Sequence, residues 1–435
     1  MIINDSIKEG NMKKIILSIL VVSVSLLTAQ SNFDDYFYSK QLRLDYYHFG
    51  NFESDYYTFD ELIEEPYWGG SKVNLIDTLG LGNFIFYVRD IKSNKVIYSR
   101  GYSSLFQEWQ TTDEAKLINR TFLEALVFPY PKDSAKVEIY DRDKKNNYRL
   151  QHAFNINPNS YFIKKEKFNE TEKTKIHYSG NFNEKLDIVF IPEGYSKSEM
   201  QKFNNDCKRF AKYLFEYEPF SEYENSINIW AISVPSKDSG IDIPADTVWK
   251  NTILNTSYYT FDSERYVMTF DNKSVRNYAS NAPYDQIYIL VNSDKYGGGA
   301  IYNYYSTTVV DHALSKKIFI HEFAHGLVGL ADEYYTSDVA YQDFYALDVE
   351  PWEPNITTLV DFESKWKSLL KLNSKIPSEI DGKDELEIGV YEGGGYVEKG
   401  VYRSTPNSIM KAFGIDEFNE VSKAAITKVI RFYSN

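Results

Sequence analysis

Two of the chain's six histidines, His321 and His325, lie four residues apart with Glu322 between them, in the segment IFIHEFAHGLVGLADEYY. On an α-helix, residues four apart share one face, so both imidazoles can reach a single metal ion. Glu322 then points beside them and can act as general base on a zinc-bound water. The alternative is a pair of core histidines, each of which needs its own hydrogen-bond partner in this apolar helix. One Zn²⁺ ion would satisfy both rings, so the pattern favours a zinc site.

A catalytic zinc needs a third protein ligand and one open coordination position. The next candidates along the chain are Asp332 and Glu333. On a continuous helix Asp332 would lie about 16 Å along the axis from His321. The helix must therefore end near Gly326 and Gly329, and the chain must turn back. We predict Asp332 as the third ligand, with Glu333 as the competing ligand and a surface carboxylate as the alternative without metal.

This spacing resembles that of the metzincin zinc peptidases, in which His-Glu-x-x-His precedes a glycine, a third His or Asp, and a distant methionine turn. Here Gly329 and Asp332 each come one residue later than in that pattern, which leaves the third ligand open. Met410, in GVYRSTPNSIMKAF, follows a Pro-Asn-Ser turn and is the candidate for the methionine beneath the histidines. Ordinary core packing is the alternative for Met410.

A narrower resemblance covers nearly all of the chain after the N-terminal segment. Its segments are HEFAHGLVGLADEY, DIVFIPEGYS, GGGAIYNYYS, YEGGGYVEKGVYRSTPNSIM, LRLDYYHFGN and SSLFQEWQTTDEA. These segments are similar to those of the bacterial IgA peptidases, which are exported zinc metallopeptidases with an N-terminal β-domain. The resemblance implies His321, His325 and Asp332 as ligands of Zn²⁺ and Glu322 as the base. It does not assign to this chain the substrate from which the family takes its name.

The chemistry expected of this arrangement is hydrolysis of peptide bonds in protein substrates. Tyr402 and Tyr334 are the candidates for stabilising the tetrahedral intermediate, with surface or core packing as the alternative. The segment AIYNYYSTTVV is either a sheet edge that pairs with an extended substrate or a core strand. A second function is indicated by the separate β-domain and the tyrosine-rich loops. In that hypothesis the protein is a surface module that binds glycoproteins, with a structural or vestigial zinc site.

The elements that must position these residues fall into two predicted domains. Residues 31–165 carry short alternating stretches such as FIFYVRDI between turn signals, typical of a β-sandwich, and the segment TTDEAKLINRTFLEALV is predicted to interrupt them as a helix. Residues 166–183 are polar and charge-dense, which predicts a linker. Residues 184–435 alternate strands and helices, which predicts a layered, metzincin-like α/β domain. The fold class is therefore predicted to be α+β.

The N-terminal segment, residues 1–30, has the order of a secretory signal peptide. Lys13 and Lys14 precede the apolar run IILSILVVSVSLL and the small-residue stretch TAQS, with cleavage expected near Ala29 or Gln30. We therefore expect an exported protein that is secreted, periplasmic or held at the cell surface, without a later membrane span. An uncleaved N-terminal anchor is the alternative.

Charge and cysteine content exclude further classes of function. The formal net charge is −14 at pH 7, so the basic face that nucleic-acid binding needs is not expected. Cys207 is the one cysteine, so stability must come from core burial. It falls at helical spacing with Phe203 and Phe210, which predicts a core thiol. The expected partner is a protein or glycoprotein substrate, and the sequence leaves the oligomeric state open.

Overall fold

The structure, a computed structural model, describes residues 32–165, 171–335, 345–380 and 382–434. The predicted signal peptide, residues 1–30, lies outside these ranges. Among the described residues, none of the helices combines the length and the apolar content that crossing a bilayer requires.

Alternation of apolar and polar residues builds the N-terminal part of the chain from antiparallel strands. The elements are helix α1 (Phe33–Tyr36), strands β1 (Phe37–Gly50), β2 (Asp55–Glu65), β3 (Phe84–Asp90) and β4 (Val96–Tyr102), helix α2 (Leu105–Trp109), and strands β5 (Arg120–Pro131), β6 (Ala135–Arg142) and β7 (Tyr148–Ile156). They form a three-stranded sheet in the order β2-β1-β5 and a four-stranded sheet in the order β4-β3-β6-β7.

The two sheets share one apolar core. Leu44 of β1 and Phe128 of β5 belong to the same buried cluster as Phe86 of β3 and Ile139 of β6. Side chains from the inner faces of both sheets therefore pack together, as in a β-sandwich.

The rest of the chain alternates strands and helices. The elements are strands β8 (Glu172–His177) and β9 (Leu186–Glu193), helix α3 (Met200–Leu214), strand β10 (Ile227–Ser233), helix α4 (Asn272–Ala279), strands β11 (Gln286–Val291), β12 (Gly298–Ile301) and β13 (Tyr305–Val309), helix α5 (Ser315–Val328), strands β14 (Ile356–Thr357), β15 (Tyr391–Gly394) and β16 (Val397–Arg403), and helix α6 (Glu420–Tyr433). A six-stranded sheet has the order β12-β13-β11-β9-β10-β8, and β14-β16-β15 form a small antiparallel sheet. In the large sheet β10, β9, β11 and β13 run parallel, while β8 and the edge strand β12 pair antiparallel.

Both faces of the large sheet are covered, as the continuous burial of its central strands requires. On one face, Phe190 of β9 packs in a cluster with Phe210 of α3, Phe319 of α5 and Val429 of α6. On the other face, the buried cluster contains residues of β9 and β11 together with residues of α4 and α2. Helix α5, which carries the histidine pair, therefore lies directly on the sheet. Cys207 is fully buried in the first cluster, which confirms the predicted core thiol.

The mixed α/β architecture agrees with the predicted α+β class. Residues 31–435 group as one compact unit, and the metzincin-like division into domains at 31–165 and 184–435 stays a prediction. The segment 166–183, predicted as a linker, contains β8, which pairs with β10. Charged residues such as Lys173 and Lys175 suggest a solvated linker. The edge strand of a sheet also carries such residues, because one of its sides faces solvent.

Two segments with a local prediction, TTDEAKLINRTFLEALV and AIYNYYSTTVV, can be compared with the structure. The segment TTDEAKLINRTFLEALV, predicted as a helix, contains only a short 3-10 turn at Glu114–Lys116 before β5, so that prediction is wrong. The Leu, Ala and Glu residues of this segment are compatible with the period of a helix and with that of a strand. The second half of the segment forms a strand because β5 pairs with β1. In AIYNYYSTTVV, the first two residues end the edge strand β12, and residues 305–309 form β13 inside the sheet. The segment therefore contains the end of an edge strand and a core strand, and the pairing with a substrate stays a prediction.

Candidate metal centre

Helix α5 packs closely on β13 and then ends at a glycine. A Cβ at Gly326 would lie 2.1 Å from Ser306 Oγ, so the helix could not approach the strand this closely with a larger residue. Gly329 has a φ of 65°, and its N–H donates to the carbonyls of Ala324 and His325. This left-handed cap closes the helix, and a glycine adopts it without strain. The predicted end of the helix and return of the chain are confirmed.

The returning chain brings Asp332 to the two histidines. Asp332 Oδ1 lies 3.1 Å from His321 Nε2 and 3.3 Å from His325 Nε2. The two Nε2 atoms are 3.0 Å apart. The three side chains predicted as ligands therefore direct one atom each at a common point.

Backbone carbonyls fix which nitrogen of each ring carries the proton. His321 Nδ1 lies 3.1 Å from the carbonyl oxygen of Ile409, and His325 Nδ1 lies 2.5 Å from that of Leu330. A carbonyl oxygen only accepts hydrogen bonds, so each Nδ1 donates and each neutral ring keeps its lone pair on Nε2. Two lone pairs and a carboxylate oxygen then face one another, an arrangement that repels itself unless a metal cation or an added proton lies among them.

The donor atoms fit a zinc ion. Asp332 Oδ1 is buried and makes no hydrogen bond with the described residues. Zinc bonds of about 2.0–2.2 Å in a tetrahedron place two ligand atoms roughly 3.3–3.6 Å apart. The separations here are 3.0 to 3.3 Å. Two imidazole nitrogens and one carboxylate oxygen are also a ligand set that catalytic zinc sites use.

The electrostatics of the cluster favour positive charge at its centre. Burial opposes the charged form of His325, but Asp332 outweighs it and raises the pKa of His325 to about 9. Burial likewise disfavours the charged carboxylate of Asp332, yet the two histidines hold its pKa well below its usual range. A bound cation would take the role that protons play in these shifts.

Glu322 lies between the cluster and the glycine-rich edge strand β12. A Cβ at Gly298 would lie 3.2 Å from Glu322 Cγ, so the glycine leaves room for this side chain. The side chain is only partly buried. Burial nevertheless raises the pKa of Glu322, although His321 and His325 oppose the shift. A carboxyl group of this kind is suited to accepting and releasing a proton.

Glu333, the competing ligand, faces away from the histidines. Its Oε1 accepts from Asn355 Nδ2 and Asn419 Nδ2, each at 3.1 Å, and its Oε2 accepts from Ser408 Oγ at 2.6 Å. Both oxygens are occupied and the side chain is fully buried. Of the two alternatives, the geometry brings Asp332 to the histidines.

The segment with Met410 supports both the histidine helix and the returning chain. The Ile409 carbonyl accepts from His321, and the Met410 carbonyl accepts from the Glu333 N–H at 2.9 Å. Met410 itself is fully buried in the core cluster that contains Phe323 of α5. The methionine predicted to lie beneath the histidines is thus part of the core under this helix.

The tyrosines are arranged differently from the prediction. Tyr402 lies opposite Thr357 and Glu392 in its sheet and packs against the cluster of Phe362 and Trp366. The structure does not bring Tyr402 to the histidines, because its position in β16 directs it to this separate apolar cluster. Tyr396, which follows three glycines, instead donates to Asp332 Oδ2.

Tyr334, the other predicted tyrosine, lies beside this contact. Its ring centroid is 5.3 Å from that of Tyr396, and its hydroxyl accepts from Arg265 Nη2 at 3.2 Å. Sequence reasoning missed Tyr396 and Arg265. The glycine run before Tyr396 was the available signal for Tyr396, since it marks a tight turn. Arg265 lies in a loop without any motif.

Two models of known protein families match this chain. The model described as IgA Peptidase M64 matches residues 174–386, and the model described as Peptidase M64 N-terminus matches residues 32–153. A comparison with curated proteins gave no match. The two family models cover most of the chain, and the first includes the histidine helix and Asp332. The chain therefore belongs to the IgA peptidase M64 family and is a peptidase.

Proposed function

We propose that this peptidase is a zinc-dependent endopeptidase that is exported and cleaves protein substrates. The observation that carries the proposal is the convergence of two Nε2 lone pairs and an unpartnered carboxylate oxygen beside a partly exposed glutamate. A metal cation would satisfy all three atoms at once, and the arrangement lies in a chain of a peptidase family. Family membership also favours hydrolysis over the alternative of a glycoprotein-binding module with a structural zinc.

His321, His325 and Asp332 would hold the metal. The carbonyls of Ile409 and Leu330 keep both rings in the tautomer that presents Nε2. Hydrogen bonds of this kind orient metal-binding histidines and strengthen them as ligands. A zinc ion bound here supplies a Lewis acid that polarises the scissile carbonyl and makes water easier to deprotonate.

Glu322 moves the proton in this mechanism. The oxygen of the attacking water forms a bond to the carbonyl carbon of the substrate. At the same time a carboxylate oxygen of Glu322 takes a proton from that water. Glu322 then delivers the proton to the leaving nitrogen, and the C–N bond breaks. The raised pKa of Glu322 suits a group that must hold the proton between the two transfers.

Tyr334 is the tyrosine proposed to stabilise the negatively charged oxygen of the tetrahedral intermediate. Its hydroxyl accepts a hydrogen bond from the Arg265 guanidinium, which makes it a better donor toward such an oxygen. Tyr402 has no such placement. Tyr334→Phe should therefore lower kcat, whereas Tyr402→Phe should leave it unchanged and serves as the matched control.

The decisive experiment combines zinc analysis with cleavage of a mixed peptide library. We expect the zinc-loaded protein to cut within peptides, to stop when a chelator is added, and to recover with zinc. Glu322→Gln should keep the zinc and the thermal stability of the parent but lose about 1,000-fold or more in kcat/KM. Equal cleavage by Glu322→Gln, or failure to bind zinc, would overturn the proposal. Cleavage only at chain ends would overturn the endopeptidase part.

A further inference from the structure

The N-terminal part of the chain is hydrogen-bonded to the large sheet at the turn after its edge strand β12. Ser103 N–H donates to the carbonyl of Tyr302 at 3.0 Å, and Asn303 Nδ2 donates to the carbonyl of Gly101 at 2.9 Å. These bonds tie the residues before α2 to the turn between β12 and β13. Helix α2 is thus held at the edge strand that runs beside Glu322.

Glu108 projects from α2 onto this edge. Its Oε2 accepts a hydrogen bond from Tyr266 Oη at 2.5 Å. The Tyr266 ring packs on Gly299 of β12, where a Cβ would lie 2.5 Å from the ring. The contact therefore places the carboxylate of Glu108 next to β12, which is the last strand at that end of the large sheet.

Part of that edge is already occupied. Gly298 N–H donates to the Arg265 carbonyl, and the Gly298 carbonyl accepts from Val267 N–H, each at 3.1 Å. Successive residues of a strand alternate in direction, so Ala300 presents its N–H and carbonyl to the same edge. Among the described residues, no hydrogen bond to these two groups crosses that edge. An extended peptide that pairs at Ala300 would pass Glu108.

Glu108 lacks a cationic partner. Among the described residues, no lysine or arginine lies within ion-pair distance of its carboxylate, and Tyr266 is its one side-chain hydrogen-bond donor. The side chain is partly exposed. Burial raises the pKa of Glu108 to about 7. Tyr266 and His325 oppose this shift, and the like charges of Glu322 and Asp332 add to it. An anion in such surroundings gains most from a cation that arrives with the substrate.

We propose that Glu108 is a specificity-determining residue that binds a cationic group of the substrate close to the scissile bond. An N-terminal ammonium group and the side chains of Lys and Arg carry this same chemistry. The inference rests on the proposed peptidase function and extends it to the class of substrate. It also gives the N-terminal sandwich a direct part in substrate recognition.

The test uses Glu108→Gln in the zinc-loaded, full-length protein. Glutamine keeps the size of the side chain and an oxygen that accepts from Tyr266, so only the charge is lost. Peptides with Lys or Arg near the cleaved bond are compared with peptides that carry norleucine or citrulline there. Each peptide is prepared with a free and with an acetylated N-terminus. These two arms separate a side-chain cation from an N-terminal amine.

For the parent we expect preference for one cationic series. Glu108→Gln should lower kcat/KM for that series by about 10- to 100-fold, mainly through KM, since a hydrogen bond to a charged group is lost. The neutral peptides should be cut at the parental rate. Glu363→Gln, which removes an exposed carboxylate paired with Lys367, should change neither series and is the matched control.

A merely structural role for Glu108 predicts a different result. If Glu108→Gln slows neutral and cationic peptides equally, or slows neither, the residue only ties Tyr266 to α2 and the inference is overturned. If the parent cuts no peptide, the proposed function fails instead. In that case the Kd of the lysine peptide and that of the norleucine peptide are measured for the zinc-loaded parent and for Glu108→Gln. These values then test whether Glu108 binds the cation. Equal affinities overturn the subsite, and a lysine preference that only the parent has supports it.

Discussion

Two histidine sites in this molecule use carboxylates in different ways. In the N-terminal sandwich, His48 Nε2 lies 2.8 Å from Asp55 Oδ2 and its Nδ1 lies 3.3 Å from Glu124 Oε2. A carboxylate faces each nitrogen, so a proton on each nitrogen satisfies the ring. At the metal centre, His321 and His325 direct Nδ1 at carbonyls and Nε2 at each other.

The difference shows what separates a structural histidine from a metal-binding one. Carboxylates at both nitrogens favour the imidazolium ion, which has no lone pair for a metal. Accordingly the pKa of His48 is raised, because Glu124 and Asp55 outweigh the opposing effect of burial. A carbonyl at one nitrogen instead keeps a proton on that nitrogen, so that a metal ion can replace any proton on the other nitrogen. The difference between the two sites therefore lies at Nδ1, which faces a carboxylate in His48 and a backbone carbonyl in His321 and His325.

The largest effect should follow removal of a ring from the metal centre. We expect His325→Ala to lose zinc binding and to lower kcat/KM about 1,000-fold or more. It should also lose the stabilisation by zinc, which is about 4 kcal/mol when zinc is at 1,000 times its Kd. Zinc titration and thermal unfolding with and without metal measure both. His48→Phe should bind zinc like the parent. Loss of zinc binding in that variant would mean that the His48 site is not separate from the metal centre.

The second effect concerns the folding of the sandwich. His48→Phe keeps a ring between Tyr57 and Phe106 but leaves the carboxylates of Asp55 and Glu124 without the proton donor between them. Breaking a buried ion pair in this way costs about 3–5 kcal/mol. Denaturant unfolding should show this loss equally with and without zinc. An unchanged free energy of unfolding would mean that His48 is not held as an imidazolium ion.

Much of the metal site, but not all of it, could be predicted from the sequence. The spacing of His321 and His325 and the glycine after them predicted the helix, its end and the return of the chain. Neighbouring residues of an extended chain point to opposite sides, so either Asp332 or Glu333 could face the rings. Asn355 and Asn419, from distant segments, hold Glu333 on the far side. That choice depends on tertiary contacts that no local pattern encodes.

The same reasoning explains the other differences from the prediction. Strand alternation predicted the N-terminal sheets well, since period-two patterns are local. Helix α2 has five residues, too few for a helical period to appear. Glu108 on α2 contacts Tyr266, and Arg265 in a loop contacts Tyr334. Both lie far along the chain from the histidines, and one sequence gives no signal for such convergence. Tyr402 and Tyr396 were indistinguishable by type in a chain with 37 tyrosines.

A tyrosine hydroxyl supports a carboxylate at each of the two histidine sites. Tyr57 Oη donates to Asp55 Oδ2 at 2.9 Å, and Tyr396 Oη donates to Asp332 Oδ2. Each hydroxyl thus supports a carboxylate that faces a histidine. Tyr396→Phe should weaken zinc binding about 10- to 100-fold, as removal of such supporting contacts does. Tyr57→Phe should leave zinc affinity unchanged and cost roughly 1–2 kcal/mol of stability. Equal zinc affinity in both variants would show that Tyr396 does not support the metal ligand.

The smallest effect is the pH dependence of the His48 site. The charged and titratable groups that face the ring are Glu124 of β5 and Asp55 of β2, and the Tyr57 hydroxyl lies on Asp55. They raise the pKa of His48 above its ordinary value of 6.5, while His48 helps to lower that of Asp55 despite burial.

A raised folded-state pKa of a histidine means that folding binds a proton. Its contribution to stability is complete below pH 6.5 and is lost as the pH rises through the raised value. The difference in unfolding free energy between the parent and His48→Phe should therefore be largest below pH 6.5 and shrink at higher pH. The loss is about 1.4 kcal/mol for each unit by which the pKa is raised. Denaturant unfolding of both proteins across this pH range measures the difference, with zinc removed so that the metal centre does not contribute. A difference that grows with pH would mean that His48 is buried as a neutral ring, and the contrast with the metal-binding histidines would no longer rest on charge.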